Sequence, residues 1–301
     1  MVFQNIDMLF SFISYLEHEK RVSPHTVLAY KKDLDQFMLF INTAFGIAHP
    51  EEAGHAEIRA WMVDLIEEGL EVTTVNRKMA TLRSFYKFLL RSEVISQDPT
   101  FKIRSLKKGR SLPAFIQEKE IYDLLKETNF EPGFEGQRDR MVMQLLYLTG
   151  VRLSELIGLK WSSVDLNQLQ IKVLGKGKKY RVIPISNELR EAIILYKKEF
   201  EECFSIPDEN DYFIVKLNKK AAYPMLIYRI VKKYLELFVR NTKGSPHLMR
   251  HTFATHLLNK GADLNAVKDL LGHASLAATQ VYTHNSIEKL KAVYELAHPK
   301  A

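Results

Sequence analysis

The sequence predicts a mainly α-helical protein with one small β-hairpin or sheet. Three observations predict this fold class: helical spacing of apolar residues in the first hundred residues, β-branched residues on both sides of a glycine-rich turn within 166–185, and helical patterns again from Asn187 to the end. At 301 residues, of which 46% are hydrophobic, the chain is long enough for two domains with separate cores.

Three helices are predicted in the N-terminal region. Ser23 offers a capping side chain and Pro24 suits the first helical turn, so a helix begins there. A second helix is predicted near 56–68, with an acidic face in solvent, and a third from about Thr74 to Arg91. The third helix is predicted to bury an apolar stripe made of Val75, Met79, Leu82, Tyr86 and Leu89.

Positive charge is concentrated in one stretch of the chain. Residues 1–76 carry 5 Lys/Arg against 12 Asp/Glu, whereas residues 77–110 carry 10 against 2. Such a block is commonly a solvated face, but with so little acid to offset it we expect contact with a phosphate backbone. The predicted DNA-binding residues are Arg77, Lys78, Arg83, Lys87, Arg91, Lys107 and Lys108.

The pattern along the chain predicts a two-domain organisation. Residues 1–101 form a helical domain, 102–112 a basic linker, and 113–301 a larger, mixed but mostly helical domain with a C-terminal helix. In the larger domain, residues 166–185 are predicted to form two strands around a hairpin.

Overall composition restricts the partners and the compartment. The net charge of +7 and the pI near 9.2 favour an acidic polymer, a weak signal on its own. A single cysteine excludes an internal disulfide, and no apolar run approaches the ~18 residues of a membrane span. The N-terminus lacks the basic region of a signal peptide, so a cytoplasmic location without membrane contact is expected.

A spaced set of cationic residues ending in a tyrosine indicates a site that binds and attacks a phosphate. The set is Arg152, Lys176, His247, Arg250, His273 and Tyr282. Arginine offers a forked pair of donors to phosphate oxygens, and a tyrosine hydroxyl, whose ordinary pKa is about 10, needs nearby positive charge and a proton acceptor to attack at neutral pH.

The neighbouring residues in the sequence bear on how several members of this set are interpreted. Arg152 lies in an apolar stretch and needs a partner, for which Glu155 is placed at i+3. His247 and Arg250 are three residues apart, after a helix start at Ser245 and Pro246. Histidines at 247, 251 and 256 raise the alternative of a metal site, but without a carboxylate, cysteine or HExxH pattern no metal and no cofactor is expected.

These motifs resemble the tyrosine recombinases of the phage integrase superfamily over nearly the whole chain. The matching segments are TGVRLSELIGLKW, GKGKKYRVIPI, HLMRHTFATHLLNKGADLNAVKDLLGHAS and TQVYTH, with VSPHTVLAYKKDLDQF and TVNRKMATLRSFYKFLL resembling the family's core-binding domain. Length and the closing YELAHPKA resemble the Xer branch, which resolves chromosome dimers. Met249, and the pair at 277–278, depart from the usual pattern without touching a reacting group.

The resemblance implies a role for each residue of the set. Tyr282 would attack a DNA phosphodiester to form a 3′-phosphotyrosine, with Arg152 and Arg250 on the non-bridging oxygens. Lys176 would protonate the 5′ leaving oxygen, His247 would serve as acid–base partner, and His273 would hydrogen-bond the phosphate. The expected partners are a double-stranded recombination site and a tetramer on DNA, homomeric or completed by a second recombinase, with a DNA translocase as a further candidate.

Other functions stay open at this point. An integrase or invertase of a mobile element would use the same chemistry, and so would a relaxing topoisomerase. A non-catalytic DNA-binding protein is a third class, which the complete set of six residues argues against.

Overall fold

The chain divides into two compact units, Met1–Ser111 and Leu112–Ala301. The computed structural model describes residues 3–107, 115–175, 179–239 and 244–272, with side chains from Met8 onward. None of the helices in these ranges is both long and apolar enough to cross a membrane.

The first unit is built from four helices around an apolar core. They are α1 (Phe3–Ser14), which continues as a π-helical turn over Tyr15–Glu19, α2 (Pro24–Phe45), α3 (His55–Glu67) and α4 (Val72–Arg91). The Ser23 hydroxyl caps α2 by accepting from the amide of Thr26, as predicted. Every residue of the predicted α4 stripe is buried, because helical spacing places them on the one side that α2 and α3 cover.

The segment after α4 folds back onto this unit. Asn76 holds both backbone groups of Leu106, donating to its carbonyl at 3.0 Å and accepting from its amide at 2.9 Å. Ile103 is buried in the first core although it falls within the predicted linker. The first part of that segment is therefore ordered by contacts with α4 rather than by its own sequence pattern.

The second unit surrounds one almost completely buried helix, α6 (Phe134–Thr149). The helices packed around it are α8 (Asn187–Phe204), α9 (Pro224–Phe238) and α10 (Pro246–Asn259). The shorter helices are α5 (Glu118–Leu124), α7 (Leu153–Ile157) and α11 (Leu264–Leu271). The C-terminal half of α6, residues 141–149, is apolar on nearly all sides and is buried throughout, which accounts for its position inside the core.

A three-stranded antiparallel sheet completes the second unit. Its order is β1 (Val164–Asp165), β2 (Gln170–Leu174) and β3 (Tyr180–Pro184), with Ile171 opposite Ile183. The predicted hairpin of β2 and β3 is confirmed, whereas β1 is too short for a periodic signal.

The prediction of a helical chain after Asn187 holds for α8 to α11 but not for the residues between α8 and α9. That stretch is irregular and is fixed by two isolated bridges, Lys160 to Tyr212 and Val215 to Ala221.

Candidate active site

A glycine turn and a capped helix start set the positions of the two predicted arginines. Gly150 ends α6 in the left-handed region at φ +60°, and Arg152 follows as the residue that precedes α7. On α10, the Ser245 hydroxyl accepts from the amide of Leu248 and Pro246 occupies the first turn, as the sequence predicted. Arg250 then lies one turn into α10, where it is buried.

Arg152 is held by a carboxylate and by a backbone carbonyl. Its Nη1 donates to Glu155 Oε1 at 2.9 Å, and its own amide donates to Glu155 Oε2 at 2.7 Å. The predicted pairing at i+3 is therefore confirmed. Its Nη2 donates to the carbonyl of Gly272 at 2.7 Å, and 28% of the side chain stays exposed.

Arg250 is held by two carbonyl oxygens. Its Nη1 donates to Gly150 and its Nη2 to Leu271, the latter at 2.6 Å. Burial, followed by repulsion from Arg152 and Arg181, lowers the pKa of Arg250 to about 10, so the guanidinium remains charged at neutral pH. A charge in this position favours an anion nearby, which would relieve the repulsion.

A third arginine, Arg181 on β3, joins this cluster. Its two terminal nitrogens donate to Glu155 at 2.5 and 2.8 Å, and its Nε donates to the Leu270 carbonyl at 3.1 Å. Burial alone would raise the pKa of Glu155, but hydrogen bonds and charge from Arg181 and Arg152 lower it below its usual value. One carboxylate thus faces three guanidinium groups, which leaves the cluster positively charged.

The sequence prediction did not include Arg181. A signal was present: residues 181, 183 and 185 alternate toward the interior of the protein, so Arg181 lies on the same inward row as two isoleucines. A charge at such a position needs a buried partner, and that requirement points to Glu155.

The histidines fall into different environments. His247 is exposed in the first turn of α10, and His251 is exposed as well. His256 is buried, with Nε2 2.9 Å from the Ile116 carbonyl and Nδ1 3.0 Å from the Tyr147 hydroxyl. Within the described ranges, no three His, Cys, Asp or Glu side chains come together as a metal site would require. Lys176, His273, Tyr282 and the predicted C-terminal helix lie outside the described residues.

The predicted DNA-binding residues of the first unit are not equivalent. Lys78 is only 5% exposed, and its ammonium lies 3.0 Å from Asp33 Oδ1, so it belongs to the interior of the unit. Burial explains the difference: position 78 faces the acidic side chain of α2, which the charge count does not reveal. Arg77 pairs with the same carboxylate through a half-exposed side chain.

The remaining basic residues lie nearer to solvent. Arg83 is half-buried and donates to the Ile103 carbonyl at 2.7 Å, while Arg91 stacks on Tyr15 and lies 3.4 Å from Glu19. Lys87 and Lys107 are exposed, and Lys108 lies outside the described residues. Arg83, Lys87 and Arg91 recur every four residues and form what we call the α4 row. Of these three, Lys87 is exposed, whereas Arg83 and Arg91 direct their guanidinium groups to other residues of the unit.

Comparison with known proteins identifies the family. Residues 114–289 match the phage integrase family, and residues 9–93 match the N-terminal SAM-like domain of phage integrases. The chain belongs to the phage integrase family. It is 40% identical to the tyrosine recombinase XerC of Staphylococcus carnosus, with 97% of each chain covered, and 36% identical to that of Bacillus subtilis, covering 96% of this chain and 95% of the relative.

Solved structures show the same fold. The XerH site-specific recombinase bound to a palindromic difH substrate has a TM-score of 0.71 at 21% identity, covering 94% of this chain and 83% of that one. The Tn1549 transposon integrase in complex with circular intermediate DNA has a TM-score of 0.69 at 21% identity, covering 94% and 98%. The predicted family and fold class are confirmed, and with them the prediction of a DNA strand-transferring enzyme.

Proposed function

We propose that this chain cleaves and rejoins DNA at a specific recombination site through a 3′-phosphotyrosine intermediate, in the manner of a Xer recombinase that resolves chromosome dimers. The observation that supports it most is the cluster of Arg152, Arg181 and Arg250 around a single carboxylate, Glu155. The guanidinium groups of Arg152 and Arg250 each donate to a backbone carbonyl oxygen, so their positions are fixed before a phosphate binds.

In the proposed reaction the two arginines bind the scissile phosphate. Each guanidinium would donate to a non-bridging oxygen and stabilise the charge that grows in the transition state. Fixed cations of this kind stabilise that charge without reorganising during the reaction.

The other roles come from the motifs that resemble the family. The Tyr282 oxygen would attack phosphorus and lose its proton to His247, while the bond from phosphorus to the 5′ oxygen breaks and Lys176 protonates that oxygen. His273 would hydrogen-bond the phosphate. The product holds the 3′ phosphate on tyrosine beside a free 5′-hydroxyl, and attack by a second strand's 5′-hydroxyl reverses the step without an energy source.

The same proposal covers the assembly and the domains. Residues 1–101 would contact the core of the site, 102–112 would serve as linker, and 113–301 would carry the catalytic groups. A tetramer on two sites is proposed, homomeric or with a second recombinase, acting in the cytoplasm with a DNA translocase as a candidate activator. The Xer role is supported by the XerC relatives that match nearly the full chain.

Backbone contacts are proposed for the exposed basic residues of the first unit. Lys87, Arg91 and Lys107 present charge at the surface, with Arg77 and Arg83 partly available and Lys108 predicted from sequence. Lys78 is left out, since its ammonium is buried against Asp33. Contacts of this kind position a protein on a duplex without reading its sequence.

Covalent trapping tests the proposed function. The wild-type protein and Tyr282→Phe would be incubated with nicked suicide duplexes made from host genomic fragments, then resolved on a denaturing gel, and the attached DNA sequenced. A wild-type adduct at one sequence supports the proposal. Relaxation of any supercoiled plasmid, irrespective of sequence, would indicate a topoisomerase, and an equal adduct from Tyr282→Phe would reject Tyr282 as the nucleophile.

A further inference from the structure

Arg181 directs all three of its guanidinium nitrogens to groups within the protein. Both terminal nitrogens bind Glu155 and the Nε binds the Leu270 carbonyl, while only 4% of the residue is exposed. Its fork is therefore occupied on both sides, and Arg181 is not placed to contact DNA itself.

Glu155 links Arg181 to Arg152. Each carboxylate oxygen of Glu155 accepts one bond from Arg181 and one from Arg152, the latter through its Nη1 and its backbone amide. The carboxylate is almost fully buried, so its orientation is set by these two arginines. Removal of one of them would leave a buried acceptor short of donors and free it to rotate.

The three arginines also cap the C-terminal end of α11. Three successive carbonyls, of Leu270, Leu271 and Gly272, accept from Arg181, Arg250 and Arg152 respectively. The last carbonyls of a helix lack partners within it and carry partial negative charge, so cations are favoured there. The chain then leads directly to His273.

Gly272 packs tightly against the same side chain. It adopts φ +64°, and a Cβ built there would lie 3.1 Å from Arg181 Cδ and 3.2 Å from its Nη1. The turn at Gly272 thus packs against the aliphatic chain and the guanidinium of Arg181. Arg181 therefore contacts both Glu155 and the end of α11.

We infer that Arg181 is a positioning residue: it fixes the Arg152 guanidinium through Glu155 and holds the end of α11 that leads to His273. This inference rests on the proposed function for its consequence in catalysis. A lysine would not substitute, since a single ammonium cannot bind both Glu155 oxygens and the Leu270 carbonyl in the planar geometry of a guanidinium.

The chain offers a matched control in Arg138 on α6. That side chain is also buried, and it binds Asp139 through Nε and Nη2 at 3.0 and 2.8 Å, with Glu135 at 3.1 Å. Its hydrogen-bond partners Glu135 and Asp139 lie on its own helix and not in the arginine cluster. Arg138→Met therefore removes a comparable buried ion pair of the same unit without disturbing Arg152.

Single-turnover cleavage of the nicked duplex captured by trapping measures the catalytic consequence. We expect Arg181→Met to bind this duplex as the wild type does but to form the covalent adduct more slowly, on the order of 10²-fold, as a misplaced catalytic group does. Arg138→Met should lose stability and keep its adduct rate. Arg181→Met should slow the adduct less in an Arg152→Lys background than in the wild type, since part of its effect passes through Arg152.

A second measurement without DNA separates this inference from the proposed function. With ¹⁵N-labelled arginine, the side-chain N–H protons of Arg152 should exchange with solvent faster in Arg181→Met and be unchanged in Arg138→Met. If the wild type forms no adduct, the proposed function fails while this measurement still decides the positioning. Wild-type cleavage by Arg181→Met, losses that multiply with Arg152→Lys, or unchanged Arg152 exchange would each overturn the inference.

Discussion

Arg250 and Leu271 are joined by a hydrogen bond from the guanidinium Nη2 to the backbone carbonyl, 2.6 Å long. The bond ties α10, which carries Arg250, to the last residue of α11. The carbonyl of Gly150, at the end of α6, accepts a hydrogen bond from Nη1, the other terminal nitrogen of Arg250. The two helices and the end of α6 therefore depend on one another for the position of this guanidinium.

Gly150→Ala should disturb this junction. The residue has φ +60°, and an added Cβ would lie 2.5 Å from the Phe253 ring and 2.9 Å from a methyl of Leu271. We expect the free energy of unfolding to fall by more than the roughly 1–2 kcal/mol that a left-handed conformation alone costs an L-residue. Covalent adduct formation should slow as well, since Arg250 shifts. Urea unfolding and single-turnover cleavage measure the two effects.

Gly261→Ala is the matched control for that substitution. Gly261 lies in the same unit at φ +87°, but nothing lies within 4 Å of its added Cβ. The difference between the two variants then reports the steric clash separately from the backbone cost. Equal losses in unfolding free energy, with cleavage preserved in both, would contradict the proposed role of the junction.

The parts of the site that follow from local patterns were predictable from the sequence. Ser245 and Pro246 begin α10 as helix-start chemistry requires, and Glu155 meets Arg152 because residues three apart on a helix turn are neighbours. Contacts between segments that are far apart in the sequence could not be predicted from such local patterns. The contact of Arg181 with the Leu270 carbonyl spans 89 positions and depends on how β3 packs on α11.

The same limit explains the buried lysine of α4. Spacing along the helix correctly identified the apolar stripe, yet the charge count could not show that Lys78 faces Asp33 on α2. Charge along a sequence reports composition, whereas burial depends on the partner helix. The two-residue strand β1 escaped prediction for a similar reason, since only its pairing with β2 defines it.

Asp33→Asn should strongly destabilise the first unit. The carboxylate is 1% exposed and accepts from Arg77, from Lys78 at 3.0 Å and from the Thr81 hydroxyl at 2.9 Å. Loss of its charge leaves the Lys78 ammonium buried without a counter-ion, a change that costs about 3–5 kcal/mol. Chemical unfolding of the full chain measures the loss in the transition of this unit.

Asp35→Asn is the control for Asp33→Asn. It makes the same chemical change on the same helix, two residues along, but at an exposed position. Exposed charges contribute little, so this variant should unfold as the wild type does. Equal stability of the two variants would show that the Asp33 cluster does not hold α2 to α4.

His256 should make the stability of the second unit depend on pH. Its Nε2 donates to the Ile116 carbonyl, which can only accept, so the neutral ring accepts from the Tyr147 hydroxyl at Nδ1. Burial, only partly offset by the Ile116 bond and the charge of Glu118, lowers the pKa of His256 below its ordinary value. The unfolded chain therefore binds more protons, and stability should fall as the pH drops below about 6.5 toward the folded-state pKa.

Two histidine variants test this account. His256→Gln should lower stability near pH 7.5 and flatten the change between about pH 7 and 5.5, the range in which an ordinary histidine titrates. His251→Gln alters an exposed residue five positions earlier on the same helix and should keep the wild-type dependence. Thermal unfolding at several pH values measures both, and an unaltered slope in His256→Gln would assign the titration to other groups.

Lys87 should account for a measurable part of the salt dependence of DNA binding. It is exposed on α4, whereas Arg91 is stacked on Tyr15 beside Glu19 and Arg83 is directed to the Ile103 carbonyl. Each phosphate neutralised by a cation releases condensed counter-ions, so Lys87→Gln should lower the slope of log K against log salt by about one. Joint neutralisation of residues 83, 87 and 91 should flatten it further.

Lys198→Gln on α8 is the comparison for Lys87→Gln, because Lys198 is exposed, paired with Glu202 at 3.9 Å and without a predicted DNA contact. A salt titration of binding to the captured duplex and to an unrelated duplex separates two effects. Loss of a contact to the DNA backbone weakens binding to both duplexes alike, since phosphates carry no sequence information. If Lys87→Gln leaves the slope unchanged, or changes it no more than Lys198→Gln does, the α4 row does not lie on the DNA backbone.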